Sequence, residues 1–187
     1  MKNLIRLLAA IVAIAASIPA HAEDAEQGWF DDAMDTLKVT YETGEPELLI
    51  PTYTWHLPFA YSKEKIDGYQ NYPWGLGYGR GRLDEKGNYH GVYAMGFLDS
   101  HSKPEWLAGY MWKTYWELGG GVKGGLGFTA GFTARSDYSH YVPVPLILPV
   151  ASLEYGRLSL DAAYVPGGKG NGNVVFFTTK WRFAANP

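Results

Sequence analysis

Between Gly125 and Arg135 the chain alternates with a period of two. Leu126, Phe128, Ala130, Phe132 and Ala134 fall on one side, and Gly125, Gly127, Thr129, Gly131, Thr133 and Arg135 on the other. Successive side chains of a strand point to opposite faces, so this is a strand with one apolar face and one small or polar face. The rule returns near the end, with Val175, Phe177, Thr179, Trp181 and Phe183 set against Val174, Phe176, Thr178, Lys180 and Arg182. It returns again earlier, where Trp74, Leu76, Tyr78 and Arg80 alternate with Gly75, Gly77, Gly79 and Gly81. A chain built from such segments is all-β, and its apolar faces must meet a second sheet, their own closed interior, or lipid.

Eight strands are predicted, at about 47–58, 74–84, 88–98, 106–117, 122–135, 147–155, 157–165 and 173–183. Short turns at 84–88, 117–121 and 156 alternate with longer connections at 59–73, 99–105, 136–146 and 166–172. An even strand number, short and long loops in alternation, and Tyr and Trp near strand ends predict an eight-stranded antiparallel transmembrane β-barrel of the outer-membrane type. The competing architecture is a soluble lipocalin-type barrel, whose turn chemistry does not explain the loop asymmetry.

The first 22 residues read as a secretory signal peptide: Lys2 and Arg6, an apolar run from Leu7 to Ile18, then Ala20-His21-Ala22. That leaves 23–187 as one outer-membrane barrel domain. Its opening segment, 23–39, places Trp29, Phe30, Ala33, Met34 and Leu37 on one face of a short amphipathic helix. Loss of Lys2 and Arg6 takes the net charge from -3 to -5, the wrong sign for a nucleic-acid binder. With no cysteine, disulfides and thiolate metal sites are excluded.

An eight-stranded barrel is normally filled by side chains. Interior glycines at 75, 77, 79, 81, 125, 127 and 131 either leave volume for a hydrocarbon chain or accommodate large neighbours. Residues of catalytic type collect where strands reach the long-loop end. His56 ends the first strand, and Asp99 and Ser100 end the third. A hydroxyl, an imidazole to move its proton and a carboxylate to support the imidazole make up a hydrolytic or acyl-transfer set. Spacing alone also allows a plain surface role. His101 competes with His56, His140 lies in a long loop, and His90 lies at the opposite end. The histidines are dispersed and lack a metal-ligand spacing, and the Gly-x-Gly runs lack the helix a phosphate loop requires, so no cofactor or metal is predicted. Pro51, Pro73, Pro149 and Pro166 lie in or beside strands, where they either open the wall laterally or mark strand ends.

Several ordered blocks carry a specific resemblance: Thr54-Trp55-His56, Phe59-Ala60-Tyr61, Lys63-Glu64-Lys65, Pro73-Trp74-Gly75, Tyr93-Ala94-Met95 and Asp99-Ser100. So do Leu126-Gly127-Phe128-Thr129-Ala130-Gly131, Tyr141-Val142-Pro143-Val144-Pro145, Pro166-Gly167 and Asn171-Gly172-Asn173-Val174. Over nearly the whole mature body the chain resembles the lipid A palmitoyltransferase (PagP) family of Gram-negative outer membranes. The resemblance implies transfer of a phospholipid sn-1 acyl chain to the hydroxyacyl chain on the proximal glucosamine of lipid A. Its partners would be a glycerophospholipid donor, a lipopolysaccharide acceptor and the outer membrane, with the barrel a monomer. It implies catalytic roles for His56, Asp99 and Ser100, and lateral gates at Pro51 and Pro73 and at Pro149 and Pro166.

One departure bears on specificity. The family's pattern places a glycine at the foot of its hydrocarbon slot, but this chain reads Gly109-Tyr110-Met111-Trp112. Parity turns Met111 inward with Gly109 and Lys113, so the expected acyl-chain pocket, Met111 with Gly75, Gly77 and Gly127, favours a chain shorter than palmitate. Around 116–127 the chain is shorter than the family pattern, and around 135–140 it is longer by a residue. Two other readings remain open: an outer-membrane lipid esterase or phospholipase using the same three residues, and a non-enzymatic lipid-binding or structural barrel.

Overall fold

The computed structural model describes residues 23–137 and 139–183; the expected leader lies outside them. Eight strands close into an antiparallel barrel in chain order, with the first paired to the last. They are β1 (Glu45–His56), β2 (Gly75–Leu83), β3 (Tyr89–Leu98), β4 (Pro104–Gly119), β5 (Val122–Arg135), β6 (Val144–Tyr155), β7 (Leu158–Val165) and β8 (Val174–Arg182). Two helices accompany them, α1 (Glu23–Thr43) before the barrel and the short α2 (Lys63–Asp67) between β1 and β2.

Three of the differences from the expected boundaries bear on the site. The helix runs four residues past 39, because Thr40 is fully buried against the barrel and extends the docking face begun by Leu37. Arg80 Nε donates to the Gly44 carbonyl at 2.8 Å and Arg82 Nε to Thr40 Oγ1 at 3.2 Å, fixing the helix end beside β2. A Cβ at Gly44 would lie 2.4 Å from the Thr40 carbonyl oxygen, so only glycine permits this approach. The 99–105 connection shrinks to 99–103 because β4 begins at Pro104, leaving it no longer than the 84–88 turn at the other end. Finally, β6 begins at Val144 rather than 147, carrying Pro145 and Pro149 inside it. They are tolerated because β6 pairs there with β5 only, and its edge toward β7 carries no ladder before Val150.

The alternation sorts side chains as the period requires. Leu76, Trp106, Leu126, Ile147, Leu153 and Trp181 project outward and stay exposed on five different strands. A continuous apolar belt of this kind is costly in water and natural in lipid. Inside, the end nearer the short turns is filled with paired charges. Lys113 Nζ donates to Asp161 Oδ1 at 2.6 Å and to Ser152 Oγ at 3.1 Å. Lys180 Nζ lies 3.5 Å from Glu47 and 3.6 Å from Asp161. Arg182 reaches Glu47 at 3.3 Å and Glu154 at 3.1 Å, while the Tyr89 hydroxyl donates to Glu47 at 2.5 Å. Burial of so many charges is tolerable only because each has an opposite partner.

Candidate active site

A β-bulge aims the key imidazole. In the β1–β8 ladder Pro51 faces Thr178 and Tyr53 faces Phe177, which leaves Thr52 without an opposite residue. Before the bulge the odd-numbered Glu47 and Leu49 are buried; after it Thr54 and His56 are buried and Trp55 projects outward. One extra residue reverses which side chains face inward, and that is what turns His56 into the lumen. Thr52 Oγ1 accepts the Thr179 N–H at 3.1 Å and shares a 2.7 Å hydrogen bond with Thr179 Oγ1, mending the interrupted ladder. The strand count alone places His56 at the rim but does not show the bulge. Its signal was present: two inward residues of opposite parity, Leu49 and His56, with a proline between them.

His56 is held on every side. Its Nε2 is 3.1 Å from Ser100 Oγ, and its Nδ1 is 3.1 Å from Asn71 Oδ1. Tyr69 stacks on the ring with centroids 4.2 Å apart, and Tyr61 meets it edge-on at 5.3 Å. The Tyr61 hydroxyl donates to the Gly172 carbonyl, joining the β1–β2 and β7–β8 connections. Burial first, then the neighbouring Tyr69, pushes the Tyr61 phenol up, which keeps it a donor. Tyr61, Tyr69 and Asn71 come from the 57–74 connection and had no assigned part in the site. Nothing in their spacing shows that this connection folds back over the end of β1.

Asp99 is close by but committed elsewhere. Its carboxylate accepts the backbone N–H groups of His101 at 2.8 Å and Lys103 at 2.9 Å, and pairs with Arg135 Nη2 at 3.3 Å. The connection is only 99–103, with Ser102 at a positive φ of 59°, so its amides turn back onto the carboxylate. Asp99 therefore braces the loop that carries Ser100, and among the described residues the His56 Nδ1 contact comes from Asn71 instead. Arg135 also lies 3.6 Å from Glu105 and 3.0 Å from Asp137, tying β4 to the end of β5. His101 packs against Tyr69, half exposed and 4.0 Å from Asp99. His140 sits in the turn 139–141, and His90 lies at the other end, with Asp84 at 3.2 Å and Tyr110 at 2.7 Å.

Below this pair lies a cavity of about 390 Å³ inside the barrel. His56, Ser100 and Arg135 line its mouth; Leu49, Met95, Phe97, Leu107, Phe176 and Met111 line its shaft; Thr129, Thr178 and Asp161 lie at its foot. Met111 points inward, as parity requires, and is buried directly above the fully buried Lys113. The glycines behave differently from expectation. A Cβ at Gly77 would lie 2.5 Å from the Cβ of Met95, one at Gly75 would lie 2.3 Å from that of Phe97, and one at Gly127 would meet the Trp112 carbonyl. Their space is taken by neighbouring side chains and strand backbone, so side chains rather than these glycines form the cavity wall.

The prolines mark two seams. The β1–β2 ladder stops at Leu49↔Gly77, two residues before Pro51, and the β6–β7 ladder stops at Val150↔Ala163, next to Pro149. Beyond both points, toward the long connections, adjacent strands share no ladder, while β7, β8 and β1 stay paired to their ends. Pro73 precedes β2 and Pro166 follows β7, so each seam has a proline on both sides.

The chain was compared with known proteins. Residues 36–180 match the family model described as antimicrobial peptide resistance and lipid A acylation protein PagP. The lipid A acyltransferase PagP of Laribacter hongkongensis is 50% identical over 155 residues, covering 83% of this chain and 75% of that one. The protein of the same name from Citrobacter rodentium is 45% identical over 182 residues, 95% of this chain and 93% of the relative. That of Salmonella typhi is 44% identical over 162 residues, 85% of each. A closed eight-stranded barrel, a serine–histidine pair at the mouth of an apolar cavity, and this similarity over almost the whole body agree: the chain belongs to the PagP family of outer-membrane acyltransferases.

Proposed function

We propose that the protein, exported by its leader over 1–22, moves an acyl chain from the sn-1 position of a glycerophospholipid to lipid A. The acceptor is the hydroxyl of the hydroxyacyl chain on the proximal glucosamine. The observation that carries this reading is the 3.1 Å contact between Ser100 Oγ and His56 Nε2 at the mouth of the cavity. The sn-1 ester bond breaks and a new ester forms on the acceptor hydroxyl. The acceptor's proton passes through His56 to the departing lysophospholipid oxygen. Ser100 serves the carbonyl, as nucleophile or as donor to the developing oxyanion, and Asp99 keeps its loop in place. Among the described residues no cluster of His, Cys, Asp and Glu could hold a metal ion. The seams at Pro51 and Pro73 and at Pro149 and Pro166 serve as lateral gates for lipids from the membrane.

Met111 closes the slot early in this reading. Down β4 from Glu105 at the mouth to Met111 is roughly 20 Å of strand, or about 15 Å along the barrel axis at the usual tilt of about 40°. Gly75 and Gly77 contribute indirectly, by making room for Met95 and Phe97 in the wall, and Gly127 by letting β4 and β5 approach. A chain that fits gains about 0.8 kcal/mol for each buried methylene, and a longer one leaves methylenes unburied.

Refolded protein in detergent micelles, given a mixed-chain phospholipid with and without lipid A, tests the reading by mass spectrometry of both lipids. Expected is acylated lipid A carrying a chain shorter than palmitate, with lysophospholipid in equal amount. Free fatty acid at an unchanged rate when lipid A is added would make the protein an esterase. No acyl movement would favour a lipid-binding barrel. Palmitate as the main chain on lipid A would overturn the shortened slot alone.

A further inference from the structure

We propose that Asn71 is a positioning residue for acyl transfer, its side-chain carbonyl holding the Nδ1–H of His56 so that Nε2 presents its lone pair to Ser100. The inference rests on the reading of His56 and Ser100 as the reacting pair. The two contacts occupy opposite nitrogens of one ring, each at 3.1 Å. A ring nitrogen that donates to a fixed acceptor leaves the other free as a base, so whatever sits at Nδ1 decides the working tautomer. The expected occupant was a carboxylate, but Asp99 is consumed by the amides of His101 and Lys103 and by Arg135.

Asn71 is rigidly placed. Its backbone carbonyl accepts the Thr54 N–H at 2.8 Å, two residues from His56, at the rim beyond the β1–β2 seam. The preceding residue, Gln70, donates its N–H to the Ser100 carbonyl at 2.9 Å. Tyr69, one residue earlier, stacks on the His56 ring. Three consecutive residues thus stack on the imidazole, hold the serine's backbone and fix the imidazole's second nitrogen. The segment aligns the pair although His56 ends β1 and Ser100 sits in the β3–β4 connection, and β1 is paired with neither β3 nor β4.

The neutral amide also has a consequence for pH. A carboxylate at Nδ1 would stabilise the imidazolium strongly; a carboxamide fixes the tautomer while favouring the charged form less. The other titratable and charged groups around the ring are Tyr61 and Tyr69 from the β1–β2 connection, Asp99 and His101 from the β3–β4 connection, and Arg135 from β5. Asn71 alone among these surroundings holds the ring by hydrogen bond at Nδ1.

The test measures kcat and KM for acyl transfer between about pH 5 and 8 in refolded wild type, Asn71→Leu, Asn71→Asp and the control His56→Ala. Expected for Asn71→Leu is a loss of about 10²-fold in kcat with KM unchanged. Asn71→Asp, of the same shape, should recover most of that loss and move the acid limb of the pH–rate profile to higher pH. A merely structural asparagine predicts no such displacement. Wild-type kcat in Asn71→Leu, or an acid limb in Asn71→Asp that stays where the wild type has it, would overturn the proposal. Should Asn71→Leu fail to fold, the Asn71→Asp profile decides by itself. Transfer that survives in His56→Ala would instead remove the reading of the reacting pair, an outcome distinct from the failure of Asn71.

Discussion

The two halves of the barrel interior solve opposite problems with the same wall. Toward the short turns the lumen is packed with charge: Lys113 is fully buried and Glu47 is 1% exposed, and the two ladders that lapse higher up, β1–β2 and β6–β7, are continuous here. Toward the long connections it is apolar and hollow, two ladders lapse beside prolines, and a bulge interrupts a third. The lower half holds the cylinder closed by pairing charges that would otherwise be costly to bury. The upper half gives up wall hydrogen bonds at two seams and encloses a cavity. Stability and activity should therefore separate by height.

The largest expected effects on activity lie at the top. His56→Ala should lower the acyl-transfer rate by about 10³-fold, near 4 kcal/mol of transition-state stabilisation, and leave the midpoint of urea unfolding in micelles unchanged. Deletion of Thr52 is the sharper probe, because it alters no side chain of the reacting pair. Without the bulge residue, the parity of Glu47 and Leu49 continues and His56 swings toward lipid. A loss approaching that of His56→Ala is expected. Near-normal transfer from the deletion variant would mean that the bulge does not aim the imidazole.

The lower half should respond the other way. Glu47→Ala strips a partner from Lys180, Arg182 and the Tyr89 hydroxyl together. Lys180 keeps Asp161 and Arg182 keeps Glu154, but removing one partner from a buried ion network still costs about 3–5 kcal/mol, visible as an earlier unfolding midpoint in urea titrations followed by circular dichroism. Protein that remains folded should transfer acyl chains at close to the wild-type rate. If its rate falls as steeply as its stability, the two halves are not separable and the division by height is wrong.

What sequence reveals here follows from range. The barrel was legible because strand parity is local: Gly125 to Arg135 declares its two faces without reference to the rest of the chain, and the inward direction of Met111 follows from the same count. The rim positions of His56 and Ser100 followed from counting strands. Four things were hidden. The bulge at Thr52 depends on pairing with β8, more than 120 residues away. The fold-back of 69–71 onto His56 depends on a connection without periodicity. The glycine rows were ambiguous because a missing Cβ leaves space without saying who fills it, and in the structure Met95, Phe97 and the neighbouring backbone do. The carboxylate expected to steer His56 instead braces its own loop, a contact set by the tightness of 99–103.

The boundary between the halves is where the smallest effect should be measured. Met111 is the last inward-facing apolar side chain on β4 before Lys113, with Thr129 opposite it on β5. Replacing it with glycine should lower the foot of the slot without touching the ion pairs beneath. Each methylene newly admitted is worth about 0.8 kcal/mol, or about fourfold in preference, so the main product should shift to a longer acyl chain. Competition between two phospholipids that differ only in chain length, read by mass spectrometry of lipid A, measures this directly. An unchanged product would place the floor at the polar residues themselves, since a chain reaching Asp161 and Thr178 would meet groups that it cannot desolvate without cost. Either result locates the height at which the hollow half ends and the filled half begins.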